Sequence, residues 1–298
     1  MTPSADIAGR LTVTAGDWSL DLAPALGGSI VALRHHGHDI LRPTPPGADH
    51  VLQTSCFPML PFAGRIAQGR FSFAGRTVTL APNLPGDPHC LHGLAWLAPW
   101  QVTAATPGRV RLTWQCDGEG AWPWAHEAEQ CFALHASGLS IVLAVTNRSD
   151  TAMPVGLGFH PYFPASAGTG LCFAAQRVWL ADPTLLPDRP AAHDALGDWR
   201  HGAPLPTTRL IDNSYEGWSG SAQIAGPCPL VLRARGARDL HLYAPAGAAF
   251  FCPEPVTHLP DAFNRGDRFD ILTTGQRRAI AMSLTLAAGA GPSDGGAA

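Results

Sequence analysis

Two segments of the chain place a side chain that can transfer a proton beside proline. In VGLGFHPYFP, His160 precedes Pro161, and in FFCPEPV, Glu254 lies between two prolines directly after an apolar run. Proline restricts its own φ and the conformation of the residue before it, so both side chains should be held rigidly at strand ends. Apolar surroundings disfavour a charged carboxylate and bring its pKa toward neutrality. The two residues therefore form the pair that general acid–base catalysis on a neutral substrate needs.

Three further polar segments offer groups that could bind a ligand. They contain Arg65 in PFAGRIAQGRF, His89 and His92 in GDPHCLHGLAW, and Asp212 in LIDNSYEGWSG. Each also has an ordinary explanation: a loop arginine is usually a surface charge, and aspartate before asparagine commonly forms a turn. Two loop histidines without a third ligand are a weak zinc signal. Cys90 stands between the histidines, but nothing marks it as an activated thiol.

Composition excludes several classes of function. The 298 residues carry a net charge of −3, with no basic face for nucleic acid and no apolar run long enough to span a bilayer. All 20 basic residues are arginine, so chemistry that needs a lysine amine, such as Schiff-base aldolases, is excluded. Seven cysteines without a C-x-x-C pair, and the lack of a secretory signal, predict reduced thiols in a cytoplasmic protein.

The elements that must position these groups are predicted to be strands. The 32 glycines and 28 prolines interrupt any long helix, and LSIVLAVTN and AIAMSLTLA alternate with the period of a half-buried strand. Hairpins are predicted around Gly75 and Gly37, and a long loop over 182–207. We therefore expect an all-β fold, with one large sandwich domain over residues 1–287 and a flexible tail over 288–298.

The five motifs PFAGRIAQGRF, HCLHG, GFHPYFP, DNSYEGW and EPVTHLPDAFN occur in an order that resembles the aldose 1-epimerase (mutarotase) family, in particular its shorter bacterial members. Any one of them would be a weak signal, whereas five in order over residues 10–287 are a strong one. The resemblance implies a large antiparallel β-supersandwich with a concave face that binds a monosaccharide. It implies no cofactor and no metal.

The resemblance also assigns roles to individual residues. Glu254 would take the proton from the anomeric hydroxyl, and His160, with a near-neutral pKa, would protonate the ring oxygen so that the ring opens. His92, Arg65 and Asp212 would hold the sugar oxygens. Partners other than the sugar are not expected: no nucleic acid, no membrane, and a monomer or a weak homodimer.

The sequence departs from the family pattern at three places. Gly64 stands where many members have asparagine, and Val256 stands where many have glutamine. The hexose-phosphate branch commonly has arginine after the HG motif, where this chain has Leu94-Ala95-Trp96. This last difference favours an uncharged sugar, with Trp96 or another tryptophan as an aromatic platform.

Other functions stay open at the level of sequence. They are a mutarotase for sugar phosphates, and a carbohydrate-binding protein without activity, against which the acid–base pair argues. A glycosidase would need two facing carboxylates, for which Glu254 and Asp212 are the available residues.

Overall fold

The computed structural model describes residues 9–206, 208–266 and 268–287. The tail expected over 288–298 lies outside these ranges. Within them the chain is built mainly of strands, and its α-helix, α1 (Ala262–Arg265), is a single turn. Short 3₁₀ turns lie at Val51–Gln53, Ala67–Gly69, Ala95–Leu97 and Trp199–His201. No helix of the described ranges has the length and apolar character to cross a bilayer.

The larger of two main sheets has 12 strands. In spatial order its main path is β1 (Leu11–Ala15), β2 (Trp18–Ala23), β3 (Ser29–His35), β5 (Cys56–Met59), β15 (Gly158–Pro161), β25 (Phe250–Val256), β24 (Asp239–Ala244), β21 (Ile211–Glu216), β18 (Arg177–Ala181) and β19 (Pro187–Ala192). Two short strands lie off this path: β4 (His38–Asp39) pairs with β3, and β16 (Phe163–Pro164) pairs with β25.

The second main sheet has nine strands, and three two-stranded ribbons complete the fold. The spatial order of the second sheet is β10 (Gln101–Thr106), β11 (Arg109–Cys116), β12 (His126–His135), β13 (Gly138–Asn147), β27 (Arg277–Leu286), β23 (Leu230–Arg235), β22 (Ser221–Ala225), β17 (Gly170–Phe173) and β20 (Ala203–Pro204). The ribbons pair β6 (Arg65–Ile66) with β9 (Cys90–Leu91), β7 (Arg70–Phe73) with β8 (Arg76–Thr79), and β14 (Met153–Val155) with β26 (Asp270–Leu272).

The core lies between the two main sheets. Burial alternates along β12 and along most of β13, as the period of two in the sequence predicted. One cluster of buried residues joins Leu20 and Leu22 of the larger sheet to Ile141, Leu143 and Leu284 of the second. All the main-sheet pairings are antiparallel, so the predicted all-β antiparallel sandwich is confirmed.

Both predicted hairpins are present. Strands β7 and β8 are joined by Ala74 and Gly75 at φ 48° and 78°, and β3 and β4 by His36 and Gly37 at φ 49° and 80°. Positive φ at both central residues is the geometry of the type I′ turn, whose twist matches the paired strands.

The prediction of a long loop over 182–207 is wrong. The segment contains the edge strand β19, a 3₁₀ turn and the short strand β20. Strand β19 was not recognised in the sequence because it includes Pro187 and Pro190. An edge strand tolerates proline, which lacks an N–H, because one of its sides is unpaired. The alternative of a turn at Asp212 is also wrong, because this residue lies within β21.

Candidate active site

One face of the larger sheet carries a row of side chains contributed by five adjacent strands. Phe57 of β5 is paired with His160 of β15, and His241 of β24 is paired with Glu254 of β25 and with Ser214 of β21. Directly opposed residues of neighbouring strands project to the same face, so this row lies on one side of the sheet.

His160 and Glu254 come together at the middle of this row. The pairing of Gly158 with Val256 sets the register of β15 against β25, and two residues further along it His160 lies across from Glu254. Nε2 of His160 is 3.2 Å from Oε1 of Glu254, and the two side chains are only 6% and 3% exposed. At this distance the two groups can share one proton through a hydrogen bond.

The surroundings of His160 keep its imidazole neutral. The ring packs against Phe57 at 4.5 Å and against Tyr162 at 4.7 Å, measured between ring centroids. Burial lowers the pKa of His160 to about 3, and the charges of His241 and Arg42 add to the effect. The near-neutral pKa expected from the sequence is therefore wrong, because a strand end was expected to be far more accessible to water than this buried position is.

The pKa of Glu254 is shifted in the opposite direction to that of His160. Burial raises the pKa of its carboxyl well above the usual value, and the negative charge of Asp212 raises it further, while Arg65 partly compensates. With His160 at a low pKa, the pair holds one proton, mainly on Glu254. A carboxyl with a raised pKa and a neutral imidazole in contact are suited to exchanging a proton with a ligand between them.

The sequence placed Glu254 after the end of a strand, and this detail is wrong. Strand β25 continues through Pro253 and Pro255 to Val256. Glu254 is paired with β24, whereas β16 and β15 contact the other side of β25 only at its two ends. Pro253 and Pro255 lack an N–H, and they lie in the part of β25 where neither β15 nor β16 is paired with it.

Asp212 is the centre of a charged network beside the pair. Its Oδ1 accepts a hydrogen bond from Nε2 of His241 at 2.8 Å, and its Oδ2 lies 3.5 Å from Nη2 of Arg65. Arg65 also donates to Asp87 at 3.0 Å, and Nδ1 of His241 is 2.8 Å from Oγ of Ser214. Burial alone would raise the pKa of Asp212, but the hydrogen bond and charge of His241, with Arg65, lower it. Asp212 is therefore a fixed anion.

The ribbon of β6 and β9 brings Arg65 and His92 over the sheet. His92 follows β9 with φ 55°, and its Nδ1 accepts a hydrogen bond from the N–H of Gly64 at 3.1 Å. Burial lowers the pKa of His92 well below its usual value, so the ring is neutral and carries its proton on Nε2. Gly64 has φ 69°, and a Cβ there would lie 2.9 Å from Cγ of Pro260. A larger residue at this position would therefore have to displace Pro260.

These groups surround a cavity of about 530 Å³. Its size is within the range of small-molecule sites, about 300–1,000 Å³. Apolar and aromatic side chains alternate with polar groups, as in sites that orient a small polar ligand. Its polar and aromatic lining includes Arg42, Arg65, His92, His160, Tyr162, Asp212, His241, Tyr243, Phe250, Glu254 and His258.

Comparison with known proteins identifies the family. The family model for aldose 1-epimerase matches residues 10–285. The chain belongs to the aldose 1-epimerase family. It is 30% identical to the uncharacterized Escherichia coli K12 protein YphB over 295 residues, which cover 92% of this chain and 98% of YphB.

Solved structures agree with this assignment. The crystal structure of the Escherichia coli K12 protein b2544, described as a candidate aldose 1-epimerase, has a TM-score of 0.86 at 30% identity and covers 93% of this chain and 98% of that one. A galactose mutarotase-like protein from Clostridium acetobutylicum has a TM-score of 0.81 at 18% identity, with 93% and 95% of the two chains covered. The second similarity supports the fold alone.

The structure of this aldose 1-epimerase family member brings together the five residues singled out in the sequence. Arg65, His92, His160, Asp212 and Glu254 all line the cavity. The interpretation of Arg65 as a surface charge is wrong, since its side chain is 12% exposed and is paired with two carboxylates.

Sequence reasoning missed several groups at the site. Asp87 lay inside a motif already examined, and His241 is a polar residue within the alternating run DLHLYA of β24. His258, from the EPVTH motif, lines the cavity with Nε2 accepting from the N–H of Ala63 at 3.3 Å and Nδ1 2.6 Å from the carbonyl of Leu259. Only the pairing of strands shows that these residues share a site.

Three sequence interpretations concern residues that do not line the cavity. Trp96 is fully buried and stacks on Phe57 at 5.4 Å, so it supports the wall and is not an exposed platform. His89 is buried, with its Nδ1 accepting from the N–H of Gln68. Burial raises the pKa of Cys90 to about 11, which argues against a reactive thiolate.

One cluster at the site has the composition of a metal centre. Ligand atoms of His160, Cys252 and Glu254 lie within 4.8 Å of one another. A thiol binds a metal as its thiolate, but burial raises the pKa of Cys252 well above its usual value. The thiol is therefore protonated, and it would have to lose its proton to bind a cation.

Proposed function

We propose that this protein is an aldose 1-epimerase that interconverts the α and β anomers of an aldose. The observation that supports it best is the contact of His160 with Glu254, a buried acid–base pair that lines a cavity of about 530 Å³. Two titratable groups in contact, with pKa values shifted in opposite directions, favour proton transfer over sugar binding alone.

In the proposed reaction Glu254 accepts the proton of the anomeric hydroxyl while His160 gives a proton to the ring oxygen. The bond between C1 and the ring oxygen breaks, and the open-chain aldehyde forms. Rotation about the C1–C2 bond presents the other face of the carbonyl, and the reverse transfers close the ring. No covalent intermediate with the protein is needed.

The protonation state of the pair suits this cycle. The reactive form, with Glu254 ionised and His160 protonated, holds the same number of protons as the form with a neutral carboxyl and a neutral imidazole. One transfer over the 3.2 Å between them converts one form into the other without exchange with water. The two groups return to their starting states at the end of each cycle, as an isomerisation requires.

The remaining polar groups would orient the sugar. Arg65 and His92 offer donors, and Asp212 offers an acceptor that His241 and Arg65 hold in place. A glycosidase reading of Glu254 and Asp212 is less favoured, because His241 and Arg65 lower the pKa of Asp212 and hold its two oxygens.

Polarimetry tests the proposal directly. Freshly dissolved α-D-glucose, α-D-galactose and α-D-xylose are followed with wild-type protein, with Glu254→Gln and with buffer alone. Wild-type protein should bring at least one sugar to its equilibrium rotation faster than buffer, and the variant should match buffer. Rates equal to buffer for all three neutral sugars, and for the acidic aldoses tested below, would overturn the proposal.

A further inference from the structure

Arg42 is a second cationic side chain in the cavity, and neither the sequence motifs nor the proposed reaction uses it. It lines the cavity together with Tyr162 and Phe250. Its guanidinium carbon lies 3.7 Å from the centroid of the Tyr162 ring and 4.7 Å from that of Phe250. The two rings hold the guanidinium plane in a fixed orientation.

Among the described residues, no side chain provides a counterion for Arg42. Its Nη2 donates to the carbonyls of Leu52 and Thr54 at 2.7 and 2.6 Å, and its Nε is buried without a hydrogen-bond partner. No carboxylate of the described residues forms an ion pair with it. Arg65, in the same cavity, is paired with Asp87 and Asp212.

An unpaired, half-buried guanidinium is costly unless something offsets its charge. Burial lowers the pKa of Arg42, yet arginine stays protonated at any physiological pH. Its planar fork matches the oxygens of a carboxylate or a phosphate, and such charge-assisted bonds are stronger than those to neutral hydroxyls. The cavity therefore contains a site whose chemistry is that of an anion receptor.

The position of Arg42 relates this receptor to the reacting atoms. His160 stacks on Tyr162, and the guanidinium of Arg42 lies over the ring of Tyr162, so Tyr162 is the side chain that connects Arg42 to His160. In a hexopyranose, C6 is attached to the carbon next to the ring oxygen. A sugar that offers its ring oxygen to His160 can therefore extend its C6 substituent past Tyr162 toward Arg42, since all three side chains line the cavity.

We propose that Arg42 binds an anionic group on C6 of the substrate, so that this protein acts on acidic aldoses such as hexuronates or hexose 6-phosphates. This inference rests on the proposed function for the placement of the ring. It revises the uncharged sugar that the sequence favoured, because the cation comes from a segment far from the HG motif. Carboxylate and phosphate share the required chemistry, and the experiment separates them.

The test compares anomer exchange, measured by NMR exchange spectroscopy at equilibrium, for D-glucuronate, D-glucose 6-phosphate and D-glucose. Wild-type protein should show a kcat/KM about tenfold or more higher for at least one acidic sugar than for D-glucose. Whichever acid is preferred identifies the group. Arg42→Gln should abolish this preference, so that kcat/KM falls further for the preferred acidic sugar than for D-glucose.

Arg265→Gln is the matched control. Arg265 also stacks on an aromatic ring, that of Trp179 at 4.2 Å, but it does not line the cavity. It should leave the preference unchanged. An equal loss for all three sugars in Arg42→Gln would make Arg42 a purely structural support and overturn the inference. A wild-type kcat/KM that is higher for D-glucose than for both acidic sugars would also overturn the inference, and this outcome can be measured without any variant.

Binding separates this inference from the proposed function. Glu254→Gln is titrated calorimetrically with the same three sugars, and the double variant with Arg42→Gln is titrated in parallel. If no sugar is turned over but the acidic sugars bind more tightly in an Arg42-dependent way, the proposed reaction fails and the anion site stands. If turnover occurs and affinity does not depend on the acidic group, the anion site fails alone.

Discussion

Nε2 of His160 lies 3.2 Å from Oε1 of Glu254, across two neighbouring strands of the larger sheet. Two titratable groups this close do not titrate independently, and their apparent pKa values belong to the pair. Burial lowers the pKa of the imidazole and raises the pKa of the carboxyl. The form of the pair that holds a single proton therefore extends over a wide range of pH.

Replacing Glu254 with glutamine should remove anomer interconversion and preserve the fold. The amide has nearly the shape of the carboxyl but cannot accept the proton, and loss of a general acid or base usually costs ~10²–10⁴ in kcat. Polarimetry gives the rate, and thermal unfolding checks the fold. The control is Glu129→Gln, on the partly exposed face of β12, which should leave the rate of interconversion unchanged. A Glu254→Gln protein with more than about half of the wild-type rate would exclude Glu254 as the base.

Replacing His160 with asparagine should keep part of the sugar affinity and lose turnover. An amide can donate a hydrogen bond to the ring oxygen, but it has no proton to transfer. His126→Asn is the matched control, since His126 is also a buried histidine whose pKa is lowered by burial, to about 4, and it does not line the cavity. The control should lose stability and keep its turnover per folded molecule. If His160→Asn behaves like the control, His160 is structural and His92 becomes the candidate acid.

The dependence of kcat/KM on pH should be bell-shaped, with limbs that reflect the pair. The acidic limb arises when the pair takes a second proton, chiefly on His160, whose pKa is about 3. The alkaline limb arises when the shared proton is lost, chiefly from Glu254, whose pKa is raised. This assignment reverses the one expected for an accessible histidine and an ordinary glutamate.

Asp212→Asn should move the alkaline limb to lower pH. The negative charge of Asp212 raises the pKa of Glu254, so its removal favours the ionised carboxylate and lowers that pKa. Asp270→Asn is the control, because Asp270 is also partly buried and paired with two arginines but does not line the cavity. An alkaline limb that stays in place in Asp212→Asn, or moves upward, would contradict the electrostatic coupling.

Prolonged dialysis against a chelator should leave the rate unchanged. Nδ1 of both His89 and His92 accepts a backbone N–H, which leaves one nitrogen on each ring for a metal. The thiol of Cys252, beside the acid–base pair, is protonated. A rate that falls on dialysis and returns with zinc alone would show that a metal takes part.

Much of the fold could be predicted from local patterns. Alternation along segments such as LSIVLAVTN depends only on the geometry of a strand with one buried face, and the hairpins at Gly75 and Gly37 depend on turns of two residues. The extent of a single domain over residues 1–287 stays a prediction.

The positions of the site residues could be predicted, but not their environment. His160 and Glu254 could be identified in the sequence because each is adjacent to proline. Glu254 is also one of only five glutamates in the chain. Their pKa values could not be predicted, since these depend on burial by side chains from distant segments, such as Phe57 against His160.

The sequence by itself determined which residue types were available: strands in alternating runs, no lysine, and five polar motifs in a recognisable order. Only the tertiary structure decided which of them meet. Strand pairing placed His241 beside Asp212, and the packing of two segments between strands placed Arg42 over Tyr162, although neither contact has a local signal. Local patterns arise from the periodicity of one strand, whereas a site arises from the register between strands far apart in the chain.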